Sequence, residues 1–244
     1  MKTVAIVQAR MSSSRLPGKI MRPVVGRPLL ELLVERLKRA PRVDEVVIAT
    51  TTNDGDDLVE SLTERLGIGC FRGSEHDVLD RVRRAARAAQ ADVIVEITGD
   101  CPLIDFEVID DLVDVYQRND YDYVANILRR TYPRGLDTQV FATSVLEEVA
   151  RLTNDPADHE HVSLYIYEHP ERFKLHNVES GLPREFWDLR LTVDTAEDFE
   201  LVRRIYEELY SVNPAFTLKD LIDLFQRQPE LRGINQHIRQ KAVR

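Results

Sequence analysis

A basic loop lies between Gln8 and Lys19, where the sequence reads Gln-Ala-Arg-Met-Ser-Ser-Ser-Arg-Leu-Pro-Gly-Lys. It carries three cations, Arg10, Arg15 and Lys19, together with three serine hydroxyls. Arginine forks and a lysine ammonium can bind the oxygens of a phosphate chain, and small serine side chains let backbone N–H groups approach it. These residue types predict a triphosphate site, although the Walker A pattern is absent. The alternative is a solvated basic loop.

Two acidic residues could hold a metal ion beside such a phosphate chain. Asp100 closely follows an apolar run, and Asp194 follows a β-branched stretch that precedes a predicted helix. Carboxylate oxygens are ligands that Mg²⁺ prefers, and the ion can bridge nucleotide phosphates. We therefore expect Asp100 and Asp194 to converge on Mg²⁺. The alternative for each, taken alone, is a carboxylate that caps a helix.

The charge balance excludes one class of partner. The chain has 244 residues, with 33 lysines and arginines against 42 aspartates and glutamates, so its formal net charge is −9. A net-negative chain does not attract the phosphate backbone of a nucleic acid, so any phosphate site must be a local basic cluster. We expect no nucleic-acid partner.

Cysteine usage and hydropathy indicate a cytoplasmic protein. The two cysteines, Cys70 and Cys101, are too few for a disulfide framework, and neither belongs to a CxxC pair. No run approaches the roughly 20 apolar residues of a membrane span, and the apolar segment near Met1 is too short for a secretory signal. We expect a soluble cytoplasmic chain without membrane insertion.

The first half of the chain alternates strand and helix patterns. Short apolar runs predict buried strands at Thr3–Gln8, Glu45–Thr50 and Asp92–Ile97. Apolar stripes at helical spacing lie between or beside them, around residues 29–37, 58–66 and 78–89. This order is typical of a parallel sheet with right-handed crossovers, whose ligands bind at the carboxyl ends of the strands. The loops that follow the three strands should therefore form the site.

The second half is less regular. Strands are predicted at Tyr121–Asn126, Gln139–Ala142 and Phe173–Asn177, and the proline and glycine between residues 129 and 136 indicate a loop. No linker requires a second domain. We therefore expect one domain over residues 1–244, with a small lobe inserted at about 128–188 for acceptor binding or dimerisation.

Two helices are predicted near the end of the chain. Residues 195–210 form an amphipathic pattern, with Thr195 as a plausible N-cap and Asp198 at the N3 capping position. A shorter helix is predicted at Leu218–Phe225.

Several motifs together resemble the cytidylyltransferase family. They are QARMSSSRLPGK from Gln8, GDCPLID from Gly99 and LRLTVDT from Leu189. The segments CFRGSEHDVLDR from Cys70 and HVSLYIYEHPER from His161 extend the resemblance in order over almost the whole chain. Within this family the sequence looks most like the spore-coat polysaccharide biosynthesis group. Its resemblance to acylneuraminate and ketodeoxyoctonate cytidylyltransferases is more distant.

The resemblance implies a fold and a reaction. The fold would be a three-layer α/β/α nucleotide-diphospho-sugar-transferase-like fold with a mostly parallel central sheet. The reaction would transfer CMP from CTP to a sugar or sugar acid and release pyrophosphate, with Mg²⁺ as cofactor, in a homodimer that serves surface polysaccharide or glycan biosynthesis. One alternative is a glycosyltransferase of related fold. The other is a non-catalytic nucleotide-binding protein, and this second alternative would be favoured if Asp100 and Asp194 lay far apart.

The resemblance also implies roles for individual residues. Arg10, Arg15 and Lys19 would act in catalysis by holding the triphosphate, and Asp100 and Asp194 would bind Mg²⁺. The nucleotide site would comprise Gln8, Ala9, Arg10, Ser14, Arg15, Lys19, Arg72, Gly73, Ser74 and Asp77, of which the last four would lie near the base and ribose. The first loop departs from the glycine-richer loop of acylneuraminate enzymes, which leaves the acceptor open.

The acceptor side is expected further along the chain. Residues 133–139 resemble the acceptor-side loop of the family, in which Arg134 could pair with a sugar carboxylate and Asp137 and Gln139 could bind hydroxyls. Glu160 and His161 are expected in the same pocket rather than in a zinc site, because the HExxH spacing is absent. The alternative for each segment is a solvent-facing surface.

Four arginines cluster in one predicted helix, at Arg81, Arg83, Arg84 and Arg87. Such a charge run is typical of a solvated helix face. We expect that arrangement here rather than a nucleic-acid patch.

Overall fold

The computed structural model describes residues 1–240. Its strands are β1 (Thr3–Gln8), β2 (Pro23–Val24), β3 (Arg27–Pro28), β4 (Glu45–Thr51), β5 (Gly69–Gly73), β6 (Val93–Thr98), β7 (Tyr123–Ala125), β8 (Gln139–Ala142) and β9 (Leu175–Asn177). Its α-helices are α1 (Leu29–Leu37), α2 (Asp57–Leu66), α3 (Val78–Ala88), α4 (Phe106–Arg118), α5 (Thr143–Leu152), α6 (Pro156–Glu160), α7 (Leu164–Glu168), α8 (Ala196–Leu209) and α9 (Leu218–Arg227). None of the helices within residues 1–240 has both the length and the apolar composition needed to cross a membrane.

Seven strands form one sheet in the spatial order β5-β4-β1-β6-β8-β7-β9, and β2 pairs with β3 in a separate hairpin. β1 pairs in parallel with β4 on one side and with β6 on the other. β8 runs antiparallel to both of its neighbours, β6 and β7. The mostly parallel sheet is therefore confirmed, and the carboxyl ends of β1, β4 and β6 meet at one edge, where ligands bind in sheets of this kind.

Helices cover both faces of the sheet and give the predicted three layers. Ala5 of β1 lies in one apolar cluster with Leu33 of α1, whereas the next residue, Ile6, lies in another with Val82 of α3. Successive side chains of a strand point to opposite faces, so a strand covered on both faces is apolar at nearly every position. This explains the unbroken apolar run from which β1 is predicted.

A third apolar cluster fixes the segment that leads to Asp194. Leu191 and Val193 are buried in it beside residues of α8 and α9. Leu16 of the first loop and Leu103 of the loop after β6 belong to the same cluster. Three distant parts of the chain are therefore held together behind the site.

The predicted helix starts hold, but two strands are shorter than predicted. Thr195 and Asp198 form the expected capping box at the start of α8, and α9 extends two residues beyond the predicted Phe225. β7 and β9 keep only the three residues that pair with each other at the sheet edge. Beside them the Asp122 N–H still donates to the Lys174 carbonyl at 2.9 Å, but the regular strand pairing ends there.

Residues 128–188, the predicted inserted lobe, supply two strands to the central sheet. β8 and β9 are both strands of the seven-stranded sheet, and α5 packs against α3. Val140 and Phe141 of β8 are fully buried on opposite faces of the sheet, in the same clusters as β1. A role of this segment in acceptor binding or dimerisation stays a prediction.

Candidate active site

A cavity of about 570 Å³ opens beside the carboxyl ends of β1 and β6. The first loop, the loop after β6 and three segments of the second half form its wall. The predicted site residues that line it are Gln8, Ala9, Arg10, Ser14, Arg15, Lys19, Asp100, Arg134, Asp137, Glu160, His161 and Asp194. The structure thus brings together residues that lie up to 186 positions apart in the sequence, from Gln8 to Asp194.

A buried carboxylate anchors the first loop. Oδ1 of Asp56 accepts a hydrogen bond from the Met11 N–H at 2.7 Å, and its Oδ2 accepts one from the Thr51 N–H at 3.2 Å. The loop then closes on itself, because the Gly18 N–H donates to the Met11 carbonyl at 3.0 Å with a Gly18 φ of +67°. Glycine adopts this left-handed backbone without steric cost. Arg15 and Lys19 therefore project from a loop whose backbone is tied at both ends.

The loop after β6 approaches the first loop through a glycine. The Gly99 N–H donates to the Gln8 carbonyl at 2.9 Å. A Cβ at position 99 would lie 2.9 Å from the Cβ of Ala9, so only glycine allows this approach. The contact places Asp100 opposite the first loop.

The ammonium of Lys19 lies between the two predicted metal ligands. Its Nζ donates to Oδ2 of Asp100 at 3.2 Å, to Oδ1 of Asp194 at 2.9 Å and to the Val193 carbonyl at 2.7 Å. Burial alone would lower the pKa of Lys19, but the two carboxylates outweigh burial and raise it. Lys19 is therefore held as a cation in the wall of the cavity.

Asp194 is surrounded by cations. Arg15 Nη2 lies 2.9 Å from its Oδ1, and Arg190 Nη2 lies 2.8 Å from its Oδ2. Burial would raise the pKa of Asp194, but Lys19, Arg15 and Arg190 together lower it. Arg190 in turn pairs with the buried carboxylate of Asp198 at 2.9 Å. The Asp194 carboxylate is thus ionised and fixed in direction.

The loop at residues 134–137 packs against the segment before Asp194. The Leu191 N–H donates to the Arg134 carbonyl at 2.7 Å, and the Arg134 N–H donates to the Leu189 carbonyl at 3.0 Å. Gly135 has a φ of +102°, and a Cβ there would lie 2.5 Å from the Leu191 carbonyl carbon. Backbone contact of this closeness requires glycine. It carries the side chains of Arg134 and Asp137 to the cavity wall.

Five predicted ligand residues do not line the cavity. Arg72 pairs with Asp57 and Glu60 and donates to backbone carbonyls after β4, so its guanidinium is engaged elsewhere. Gly73, Ser74, Asp77 and Gln139 do not line the cavity either. The Asp77 carboxylate caps α3 and binds His159 Nδ1 at 2.8 Å, which ties α6 to α3. Contact of these residues with the base, ribose or acceptor stays a prediction.

Gln139 has a structural environment that its sequence does not reveal. It is 9% exposed, and its amide oxygen accepts hydrogen bonds from the hydroxyls of Tyr123 and Ser163. Its partner across the strand pair is Glu96, which is also buried and accepts a hydrogen bond from Gln8 Nε2 at 3.0 Å. Gln139 therefore belongs to a polar network one layer behind Gln8.

The prediction of a solvated arginine face on α3 is wrong for one member. Arg84 and Arg87 are more than half exposed, but Arg81 is 2% exposed and lines the cavity. The four arginines stand at positions 81, 83, 84 and 87 of one helix, so they point in different directions around it and cannot all lie on the solvated face. Other lining residues that sequence reasoning missed are Ser12, Ser13, Ile20, Val78, Thr98, Gly99, Cys101, Gly135, Thr192 and Gln240.

The oxygen atoms around the Lys19 ammonium have the chemistry of a magnesium site. No cluster of three or more histidine, cysteine or acidic side chains fit for a metal exists among residues 1–240. Asp100, Asp194 and the Val193 carbonyl nevertheless converge on one ammonium, and all three donors are oxygens. Oxygen donors suit Mg²⁺, which keeps several water or phosphate ligands beside one or two carboxylates. The residues present therefore fit the predicted ion.

Comparison with known proteins agrees with this geometry. The spore coat polysaccharide biosynthesis protein SpsF of Bacillus subtilis is 35% identical over 92% of this chain and 94% of its own length. A 3-deoxy-manno-octulosonate cytidylyltransferase of Geobacter metallireducens is 29% identical over 68% of this chain and 75% of its own length. The solved structure of a cytidylyltransferase from Leptospira borgpetersenii superposes with a TM-score of 0.90 at 34% identity, over 99% of this chain and 100% of that one.

A family model described as cytidylyltransferase matches residues 4–228. The match includes all of β1 except Thr3, the first loop, Asp100 and Asp194, which are parts that build the cavity. The chain therefore belongs to the cytidylyltransferase family.

Proposed function

We propose that the protein transfers CMP from CTP to an oxygen of a sugar or sugar acid and releases pyrophosphate. One observation carries the proposal: Lys19 and Arg15 meet the carboxylates of Asp100 and Asp194 at the wall of one cavity. Cations from a serine-rich loop suit a phosphate chain, and the facing carboxylates suit its counter-ion. A non-catalytic protein is disfavoured, because the two aspartates converge instead of lying apart.

Arg15 and Lys19 are the side chains best placed to bind the phosphates. Arg15 is 41% exposed and Lys19 12% exposed, and both contact the same Oδ1 of Asp194. The contact with Asp194 engages only part of the Arg15 guanidinium, whereas the Lys19 ammonium would exchange one of its three protein partners for a phosphate oxygen. Arg10, 38% exposed at the same wall, and Ser14 add further donors. A bound triphosphate would take these donors in place of Asp194.

Asp100 and Asp194 would hold Mg²⁺. When bound, the ion would supply positive charge that orients and polarises the phosphate oxygens. The two carboxylates already share one cation, the Lys19 ammonium, so they lie close enough to share another. Arg190, held by Asp198, keeps the direction of Asp194 fixed while its other oxygen changes partner.

The chemistry follows from these charges. An acceptor hydroxyl oxygen forms a bond to the α-phosphorus, the bond from that phosphorus to the bridging oxygen breaks, and pyrophosphate leaves with the electron pair. The hydroxyl proton passes to solvent. Negative charge builds on the equatorial and leaving oxygens, so fixed cations such as Arg15 and Lys19 lower the barrier most effectively.

The acceptor would bind against the residues that the second half of the chain contributes to the wall. Arg134, Asp137, Glu160 and His161 line the cavity. A guanidinium such as that of Arg134 suits a sugar carboxylate, and the other side chains suit hydroxyls. The relatives named above act on 3-deoxy-manno-octulosonate or in spore coat polysaccharide biosynthesis. These names support a sugar or sugar acid for surface glycan assembly. We further propose that the protein acts as a cytoplasmic homodimer.

Pyrophosphate release tests the proposal. Purified protein is supplied with Mg²⁺, with each of CTP, UTP, GTP and ATP, and with a panel of 2-keto-3-deoxy sugar acids and sugar phosphates. We expect turnover with CTP and with at least one sugar acid, and none after chelation of Mg²⁺. Preferred turnover of UTP or GTP would contradict the cytidine assignment. Hydrolysis of a nucleotide sugar without pyrophosphate release would indicate the glycosyltransferase alternative.

A further inference from the structure

Arg81 is a buried cation in the wall of the cavity. It lies in the first turn of α3, is 2% exposed and lines the cavity beside Val78. Burial of a charged side chain costs several kcal/mol unless a partner of opposite charge compensates. The partner of Arg81 therefore needs an explanation.

The described residues do not provide an anionic partner. Nη1 of Arg81 donates to the carbonyls of Ser74 and Glu75, the latter at 3.5 Å, and its Nε is buried without a hydrogen-bond partner. The ion pairs of residues 1–240 include none to Arg81. Burial, and next the nearby charge of Arg10, lower the pKa of Arg81 to about 10, although the charges of Asp56, Glu75 and Asp77 act in the opposite direction. Arg81 is thus a buried guanidinium without a directly paired carboxylate.

Two other buried arginines show what a purely structural arrangement looks like. Arg190 pairs with Asp194 and Asp198. Arg36 has no paired carboxylate, but it donates to the carbonyls of Ile104 and Phe216, stacks on the Phe216 ring and lies away from the cavity wall. Arg81 differs from both: it has no paired carboxylate, and it lines the cavity.

Arg10 stands beside Arg81. Nη1 of Arg10 donates to the Glu75 carbonyl at 3.2 Å, so both guanidiniums flank the same oxygen. The Glu75 carboxylate contacts Arg10 at 3.5 Å and the Ser12 hydroxyl, not Arg81. Two like charges held this close repel each other unless an anion lies between them. The pair therefore has the charge and the donors of an anion clamp.

We propose that Arg81 binds the phosphate chain of the nucleotide together with Arg10. The inference rests on the proposed function and adds to it a residue that the first-loop motif does not contain. A phosphate is favoured over the base, because a neutral ring would leave Arg81 without a paired anion. It is favoured over an acceptor carboxylate, because Arg10 belongs to the serine-rich loop that supplies the other phosphate donors.

Binding of cytidine, CMP and CTP tests this assignment by titration calorimetry. We compare the wild-type protein with Arg81→Gln, Arg81→Lys and the control Arg84→Gln, which removes an exposed arginine from the same helix. Affinity of Arg81→Gln for CMP and CTP should fall roughly tenfold to hundredfold, as for loss of a charged hydrogen bond. Cytidine should bind to all four proteins alike. Arg81→Lys should recover part of the loss, and Arg84→Gln should match the wild type.

Three results would overturn the inference. Unchanged affinity of Arg81→Gln for CMP and CTP would show that no phosphate reaches Arg81. An equal loss for cytidine would indicate a structural role or a base contact. A raised KM for the acceptor with unchanged CTP affinity would assign Arg81 to the acceptor. If Arg81→Gln does not fold, Arg81→Lys carries the same comparison, and a wild-type protein that binds no CTP would contradict the proposed function itself.

Discussion

The ammonium of Lys19 lies 2.9 Å from Oδ1 of Asp194, although the two residues are 175 positions apart. The contact joins the first loop, which follows β1, to the segment that precedes α8. It shows that the two halves of the chain build one site. It also makes Lys19 the natural first target for mutation.

Lys19→Ala should lower kcat/KM by about 10² to 10³, because it removes a fixed cation from the place where charge develops on the leaving group. Steady-state pyrophosphate release measures the effect. Lys38→Ala is a suitable control, since Lys38 is exposed and binds the Leu66 carbonyl far from the cavity. Wild-type rates in Lys19→Ala would refute the phosphate site.

Asp194→Asn should reduce the free energy of unfolding by about 3 kcal/mol at pH 7, because it leaves the buried cations around it without their shared anion. Urea denaturation measures the change. Asp223→Asn, which alters an exposed aspartate, should leave stability within about 0.5 kcal/mol of the wild type. Equal stability of the two variants would contradict the ion-pair network.

The difference in the free energy of unfolding between wild type and Asp194→Asn should become smaller at low pH. The pKa of Asp194 is lowered in the folded protein by Lys19, Arg15 and Arg190, despite burial. Its stabilising contribution is therefore complete above the unfolded pKa of about 3.9 and is lost as pH falls through the lower folded value. Unfolding measured from pH 7 down to pH 3 should show a constant difference that shrinks only below about pH 4.

For Glu96→Gln, the difference in the free energy of unfolding from wild type should change as pH rises towards 7, whereas for Asp194→Asn it changes only at low pH. Burial raises the pKa of Glu96 to about 7. Its contribution to stability is therefore complete below the unfolded pKa of about 4.3 and is lost as pH rises to about 7, by about 3 kcal/mol in total. Glutamine has the same shape and no charge, so the variant should gain stability relative to wild type over this range. A difference that stays constant from pH 4 to pH 8 would contradict the neutral carboxyl.

Gly135→Ala should destabilise the protein by at least about 2 kcal/mol and reduce activity, because its Cβ would overlap the Leu191 backbone and its φ is positive. Displacement of that backbone would move Asp194. Gly233→Ala is the matched control, since position 233 has open space and no positive φ. Thermal unfolding and pyrophosphate release measure both effects, and identical behaviour of the two variants would speak against the close packing.

Sequence patterns predicted the helices and strands whose formation depends on neighbouring residues or whose two faces are both buried. The apolar run of β1 and the capping pair of Thr195 and Asp198 depend on neighbours in sequence, so their types and spacing are sufficient. The short strands β7 and β9 were predicted too long, because their ends depend on a partner strand rather than on their own residues. The same limit applies to residues 128–188, whose strands join the central sheet only through pairing with distant segments.

The sequence by itself determined the first loop, the two aspartates and the family they resemble, because these are properties of residue type and order. Only the tertiary structure decided that Lys19 bridges Asp100 and Asp194, that Arg72 points away from the cavity, and that Arg81 points towards it. The sequence of a helix with several arginines does not show which of them faces water and which faces a cavity. Its direction is set by how α3 packs on the sheet, and that packing depends on residues far away in the chain.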